Sequence, residues 1–281
     1  MKIMRFIGIV FALFSAGSPS DTSAQDSGKK YKVYMVSNSH LDTQWRWDVK
    51  ATIDDYLYNT AVQNLALLEK YPHYVFNFEG AVKYEWIKEY YPHLFERIRK
   101  FVADGRWNIS GASFEANDPN MPSSESFIRN ILLAQEFYKK EFGIKSKDMF
   151  LPDCFGFSQV MPTLGHHCGL IGFSTQKLSW RTEPLVGDSK TPFPIGLWEG
   201  VDGARIMVAL EPGRYSWNEF PEGDLSANEE LAESARKSPF GIAYRYYGNK
   251  LANGAGDHGG SALPRSIQLL EEGITNGKGP V

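Results

Sequence analysis

The chain has few cysteines and almost no net charge, and each shortage excludes a class of protein. Only Cys154 and Cys168 occur among 281 residues, too few for a disulfide framework. Each thiol is expected to fill a small apolar space, although a single bridge between the two stays open. The formal net charge is −3, which argues against a nucleic-acid partner.

Long apolar runs are also scarce, and the one that stands out is Phe6–Phe14. Lys2 and Arg5 precede it and small residues around Ser23-Ala24 follow, which is the pattern of a signal peptide over residues 1–24. The run is too short for a permanent membrane anchor. We therefore expect a secreted or periplasmic protein without a membrane span, with a polar linker over residues 25–30 and a domain over residues 31–281.

Strand and helix signals alternate through the roughly 250 residues that remain, enough for one sizeable α/β domain. Short apolar stretches predict strands at 32–36, 74–78, 107–110, 149–151 and 170–173. Apolar residues at helical spacing predict helices near 53–68 and 95–102, a long helix from Pro122–Glu125 to Gly143, and a short one near 163–168. Asp202-Gly203 predicts a hairpin turn. Such alternation favours a parallel sheet, closed into a barrel or doubly wound.

A polar cluster follows the first predicted strand and contains His40 and Asp42. Two residues apart in extended chain, their side chains leave the same face. An imidazole beside a carboxylate is half of a site for a divalent ion, commonly zinc. About 110 residues later, a second short strand runs into Asp153 and an aromatic turn, Phe155-Gly-Phe-Ser158.

Together the segments Ser39-His-Leu-Asp-Thr-Gln-Trp45 and Leu151-Pro-Asp-Cys-Phe-Gly-Phe-Ser158 resemble the class II α-mannosidases, glycoside hydrolase family 38. The resemblance covers about Tyr31 to the end. It implies the family's seven-stranded parallel β/α barrel, here incomplete at its C-terminal side. It also implies a zinc-dependent retaining α-mannosidase that acts on mannose-containing oligosaccharides.

The resemblance also assigns roles to residues. Asp153 becomes the nucleophile and shares a zinc ion with His40 and Asp42. Retention requires a second carboxyl group about 5–5.5 Å from the nucleophile, and the candidate acid/base is Asp257, inside the segment Gly254-Ala-Gly-Asp-His-Gly-Gly260. Relatives have glycines directly after this aspartate, whereas here His258 follows it. A surface turn is the competing interpretation of this segment.

Several further residues have two possible interpretations. Trp45 and Phe155 are predicted to contact the sugar, and a core tryptophan is the less favoured interpretation of Trp45. Glu115, Asp118 and Arg129 are expected to support the cleft. We expect His166 and His167 to be surface residues on a short helix, and we discount the acceptor sequence at Asn108 because its strand is predicted to be buried.

The family's fourth zinc ligand is a histidine well beyond the glycine-rich segment, and no position in this sequence matches it. We therefore expect a fragment of a longer enzyme. The alternatives are an inactive, truncated barrel that retains sugar or metal binding and, less favoured, a metal-dependent polysaccharide deacetylase. The oligomeric state is left open.

Overall fold

A computed structural model describes residues 32–179, 195–210, 240–248 and 258–276, with four further positions between 233 and 238. The predicted signal peptide, the linker and Asp257 lie outside these ranges. The described strands form two four-stranded sheets, which confirms an α/β fold with parallel strands.

The first sheet has the strand order β3-β2-β1-β8 and is parallel throughout. Its strands are β1 (Lys32–Ser39), β2 (Phe76–Phe78), β3 (Trp107–Ile109) and β8 (Ile242–Gly248). The first three confirm the predicted strands. The strand β8 was not predicted, because its sequence Ile-Ala-Tyr-Arg-Tyr-Tyr-Gly mixes tyrosines with small and charged residues and is not a plain apolar run.

Helices follow β1 and β2 and cover this sheet. The chain after β1 is helical from α1 (Val49–Ala51) through a π-helical turn (Thr52–Leu57) into α2 (Tyr58–Lys70). After β2 come α3 (Ala81–Tyr90), which was not predicted, and α4 (Pro92–Ala103). The buried faces of these helices pack on β2 and β3 in one large aromatic-rich core, because apolar residues recur at helical spacing.

The long predicted helix is confirmed as α5 (Ser124–Phe142). The Ser123 side chain accepts a hydrogen bond from the amide of Ser126 at 3.2 Å and caps the helix start. At the other end Gly143 adopts a left-handed conformation, with φ of 72°. The helix spans the connection between the two sheets.

The second sheet has the order β4-β5-β7-β6. Its strands are β4 (Asp148–Phe150), β5 (Gly172–Ser174), β6 (Ile195–Glu199) and β7 (Arg205–Ala209), with the short helix α6 (Met161–His167) between β4 and β5. The pairings of β5 with β4 and β7 are parallel, whereas β6 and β7 are antiparallel, as the predicted hairpin requires. The last described helix, α7 (Pro264–Thr275), was not predicted.

Apolar side chains from both sheets meet in a small interior cluster. Phe150 of β4 lies edge-on to Tyr246 of β8, with ring centroids 5.5 Å apart, and Val36, Ile195 and Ala209 pack against the same cluster. The sheets therefore share an interior. A single closed barrel of seven parallel strands stays a prediction, since the described strands form two sheets and include an antiparallel pair. No helix in the described ranges has the length and apolarity to cross a membrane.

Candidate metal centre

The end of β1 brings His40 and Asp42 together. His40 is buried, with 3% of its surface exposed, whereas Asp42 is half-buried. The His40 Nε2 atom lies 3.2 Å from Asp42 Oδ1. The two side chains therefore point the same way at the end of β1, as their spacing predicts.

Asp153 reaches the same imidazole from the second sheet. It follows β4 by three residues, and its Oδ2 lies 3.6 Å from His40 Nε2. One ligand atom from each of the three residues lies within 4.8 Å of the other two. Two segments more than 100 residues apart thus converge, and each follows the carboxyl end of a strand from a different sheet.

The donor set and its spacing fit zinc. One imidazole nitrogen and two carboxylate oxygens are usual zinc ligands, and a tetrahedral ion with bonds of about 2.1 Å separates its ligands by about 3.4 Å. The separations of 3.2 and 3.6 Å at His40 lie on either side of that value. These residues can therefore hold a divalent ion as the predicted ligands.

The charges around His40 also favour a cation. Burial, the largest single effect, acts to lower the pKa of His40, but Asp153, Asp42 and Glu79 together raise that pKa well above its ordinary value. Three carboxylates around one imidazole therefore attract positive charge, which either a proton or a metal ion can supply.

Lys177 is a site residue that the sequence analysis missed. Its side chain is buried, and its Nζ contacts Asp153 Oδ1 while lying 4.7 Å from the centre of the Phe155 ring. Burial acts to raise the pKa of Asp153, but His40 and Lys177 outweigh it and hold the pKa below its usual value. Lys177 lies three residues beyond β5, so the signal was a charged residue just past a strand of the same sheet.

Glu79 and Lys83 were also missed, and they lie on the other side of His40. Glu79 follows β2 directly, and its Oε1 lies 3.7 Å from His40 Nδ1 and 2.6 Å from Lys83 Nζ. Burial acts to raise the pKa of Glu79, whereas Lys83 and His40 lower it further than burial raises it. The sequence signal for this pair was an acidic residue at the end of a strand, followed four residues later by a lysine.

A cavity of about 320 Å³ opens over the three candidate ligands. The cavity is lined by His40, Phe155 and the segments 41–44, 115–118 and 152–154, which include the candidate ligands Asp42 and Asp153. Glu115 and Asp118 are therefore in its wall, as expected. Burial, more than any other effect, raises the pKa of Glu115.

Trp45 and Arg129 lie outside this lining. The Trp45 ring is 54% exposed, with its centroid 6.0 Å from that of Trp47 and the Arg46 guanidinium 4.3 Å above it. Its role as a sugar platform stays a prediction. Arg129 pairs with Glu125 on the exposed face of α5 and does not support the cleft.

The end of the glycine-rich segment lies beside His40. Gly259 donates its amide to the His40 carbonyl at 2.9 Å, and its φ of 76° suits only glycine. The His258 ring stacks on Trp47, with centroids 4.3 Å apart, and lies edge-on to Tyr56. Residues 258–260, the described end of this segment, thus lie next to the candidate ligands, whereas Asp257 lies outside the described residues.

The remaining predicted positions have simpler surroundings. Cys154 and Cys168 are free thiols, and burial raises the pKa of Cys154 to about 12. His166 and His167 are exposed on α6, as predicted. The Asn108 side chain is exposed and donates to Asn77, so the expectation that it is buried was wrong, because alternate residues of β3 point away from the core.

Comparison with known proteins identifies one family. The model described as "Glycosyl hydrolases family 38 N-terminal domain" matches residues 30–271. Alpha-mannosidase G of Dictyostelium discoideum is 37% identical over 190 residues, which are 68% of this chain and 17% of that protein. Alpha-mannosidase 2C1 of Homo sapiens is 36% identical over 184 residues, 66% of this chain and 17% of the relative.

The fold has a solved counterpart as well. The crystal structure of an alpha-mannosidase from Enterococcus faecalis superposes with a TM-score of 0.69 at 22% identity, covering 86% of this chain and 27% of that one. The chain thus spans about a sixth of the length of the two curated relatives.

Proposed function

This chain belongs to glycoside hydrolase family 38, and from that membership we propose that it carries the N-terminal catalytic domain, over residues 31–281, of an exported, zinc-dependent retaining α-mannosidase. The proposed substrates are terminal α-mannosides of oligosaccharides or N-glycans. Export rests on the signal-peptide pattern of residues 1–24. The two described sheets are proposed to be part of the family's seven-stranded barrel.

The observation that carries this proposal is the convergence of His40, Asp42 and Asp153. Their ligand atoms come from two sheets, lie at zinc-like separations and form part of the cavity wall. These three side chains would hold the ion. When bound, zinc would supply a Lewis acid and a template that orients the sugar.

In the proposed two-step reaction Asp153 is the nucleophile of the first step and the leaving group of the second. Its carboxylate attacks the anomeric carbon as the glycosidic bond breaks, and the departing oxygen takes a proton from Asp257. In the second step water loses a proton to Asp257 and attacks the same carbon, which frees Asp153 and mannose. The anomeric configuration is retained because the carbon is inverted twice.

Lys177 is proposed to keep Asp153 ionised and oriented. Its ammonium contacts Oδ1, while Oδ2 is the oxygen nearest His40. A carboxylate restrained at one oxygen loses less rotational freedom on reaction, which is the benefit of a preorganised nucleophile. The exposed rings of Phe155 and Trp45 offer flat apolar faces for the sugar.

Hydrolysis of an aryl α-mannoside by the purified full chain tests the proposal. We expect release of the aryl alcohol, its loss on chelation, its return with added zinc and a first product of retained configuration by NMR. An aryl β-mannoside is the matched control and should stay intact.

The contrary results separate the alternatives. Absence of turnover with zinc bound would favour an inactive sugar- or metal-binding barrel. Release of acetate from an acetylated polysaccharide, without cleavage of the sugar chain, would favour a deacetylase instead.

A further inference from the structure

A second pair of opposite charges is buried behind His40, away from the cavity. Glu79 and Lys83 are 2% and 0% exposed. Lys83 lies in the first turn of α3, and its Nζ is 2.6 Å from Glu79 Oε1. Neither residue is part of the cavity lining, so neither can reach a substrate there.

The packing around this pair is specific. A β-carbon placed on Gly80 would lie 3.1 Å from Lys83 Nζ, and one on Gly111 would lie 3.3 Å from Glu79 Cβ. Both glycines have positive φ, of 88° and 76°. The backbone on both sides therefore leaves just enough room for the two charged side chains.

Stability alone does not account for such a pair. Removing each ion from water costs several kcal/mol, and replacing a buried ion pair with apolar residues of similar volume is often neutral or stabilising. A leucine and a methionine could fill this space at less cost. The charges therefore point to a task that an apolar pair would not perform.

That task is indicated by what Glu79 faces. Its Oε1 lies 3.7 Å from His40 Nδ1, whereas His40 Nε2 faces Asp42 and Asp153 at 3.2 and 3.6 Å. The imidazole thus presents one nitrogen to the metal side and the other to Glu79. A metal-binding histidine usually donates its second N–H to a carboxylate, which fixes the tautomer and the ring orientation.

We propose that Glu79 and Lys83 are a positioning pair for His40, in which Glu79 accepts the Nδ1–H so that the Nε2 lone pair points at the metal. Lys83 holds Glu79 in place through Oε1, the same oxygen that faces His40. The 3.7 Å separation exceeds a hydrogen bond, and a shift of about 0.7 Å would close it. This inference rests on the proposed metal site but not on the identity of the sugar.

Zinc affinity of the purified full chain, measured by competition with a chelating dye, tests the pair without any turnover. We expect Glu79→Gln to bind zinc about 10- to 100-fold more weakly than the wild type. Glu79→Asp keeps the charge and should recover part of the loss. Glu141→Gln is the matched control, because Glu141 accepts from Lys88 of the same helix, α3, at 2.7 Å, and its zinc affinity should equal that of the wild type.

A double variant tests whether misfolding or a change in net charge could explain a loss of zinc affinity. Glu79→Leu combined with Lys83→Met removes one negative and one positive charge, so the net charge near the metal is unchanged. We expect this variant to fold, because replacing a buried ion pair with apolar residues of similar volume is often neutral or stabilising. Its zinc affinity should fall by a factor similar to that of Glu79→Gln. In the zinc-loaded wild type, ¹⁵N NMR should place the His40 proton on Nδ1, with a slowly exchanging signal that the double variant lacks.

The possible outcomes separate this inference from the proposed function. Wild-type zinc affinity in both the Glu79→Gln and the double variant would overturn the positioning role. A wild-type chain that binds no zinc would overturn that role together with the metal site. A chain whose zinc affinity depends on Glu79 as expected, but that cleaves no mannoside, would overturn the α-mannosidase proposal alone.

Discussion

His40 lies between two carboxylate–lysine pairs that have the same chemistry and opposite surroundings. On one side is the open pair, Asp153 and Lys177, in which the carboxylate is 17% exposed and lines the cavity. On the other side is the sealed pair, Glu79 and Lys83, which are 2% and 0% exposed. Asp153 and Lys177 follow strands of the second sheet, whereas Glu79 follows β2 of the first sheet and Lys83 lies on α3.

Access from the cavity, and not residue type, therefore separates a reacting carboxylate from a supporting one. Both carboxylates approach the same imidazole, and both have a pKa held below the usual value against the effect of burial. Only Asp153 lies where a sugar could approach it. Four substitutions test this contrast between the two pairs.

The largest effect is expected for Asp153→Ala. Loss of the proposed nucleophile should lower kcat for an aryl α-mannoside by a factor on the order of 10⁴ or more, since the covalent step has no substitute. Steady-state kinetics with zinc in excess measures this, so that weaker metal binding does not contribute. Asp104→Ala, at the exposed end of α4, serves as the control, and a kcat within tenfold of wild type for Asp153→Ala would remove Asp153 from the reaction.

The next effect concerns stability and belongs to the sealed pair. Lys83→Met should lower the free energy of unfolding by about 3–5 kcal/mol, because it leaves Glu79 as an uncompensated buried charge. Adding Glu79→Leu should restore most of that stability while the zinc affinity stays weak. Urea unfolding of the zinc-free chains measures the stability of the single and the double variant. Equal losses in the single and double variants would mean that the charges themselves stabilise the fold.

The sequence predicted the open side of this comparison better than the sealed side. His40, Asp42 and Asp153 stand out because each follows a short apolar strand, and the structure brings all three together. Glu79 also follows a short apolar strand, but helix α3 was not predicted. Without that helix, there was no reason in the sequence to pair Glu79 with Lys83 four residues later. Burial of a charge is a property of the tertiary structure that a single sequence does not display.

Topology was the other part that the sequence left open. The alternation of elements indicates parallel strands, yet it does not specify which strands pair, and the hairpin of β6 and β7 adds an antiparallel pair to the second sheet. The strand β8 pairs with β1 over seven residues, although more than 200 residues separate them in the chain. Such non-local pairing depends on the packed interior and not on local pattern.

A smaller effect is expected for Lys177 of the open pair. Lys177→Met removes a charged contact to Asp153, commonly 1.5–3 kcal/mol, and should lower kcat about 10- to 100-fold. Since Lys177 helps to hold the pKa of Asp153 down, its loss should also move the acid limb of the activity profile to higher pH. Lys177→Arg should return the acid limb to its wild-type pH. If Lys177→Met left the acid limb at the wild-type pH, the contact would not control the ionisation of Asp153.

The smallest effect is expected for a third pair, Lys88 and Glu141, in which the lysine side chain is 47% exposed. Solvent screens such a pair, so Lys88→Met should change the free energy of unfolding by about 0.2–1 kcal/mol and leave zinc affinity and kcat unaltered. Lys88 and Lys83 lie on the same helix and each contacts one glutamate at 2.6–2.7 Å, so the two substitutions differ mainly in burial. If Lys88→Met cost as much as Lys83→Met, burial would not be what makes the sealed pair costly to break, and the contrast between the two sides of His40 would need another cause.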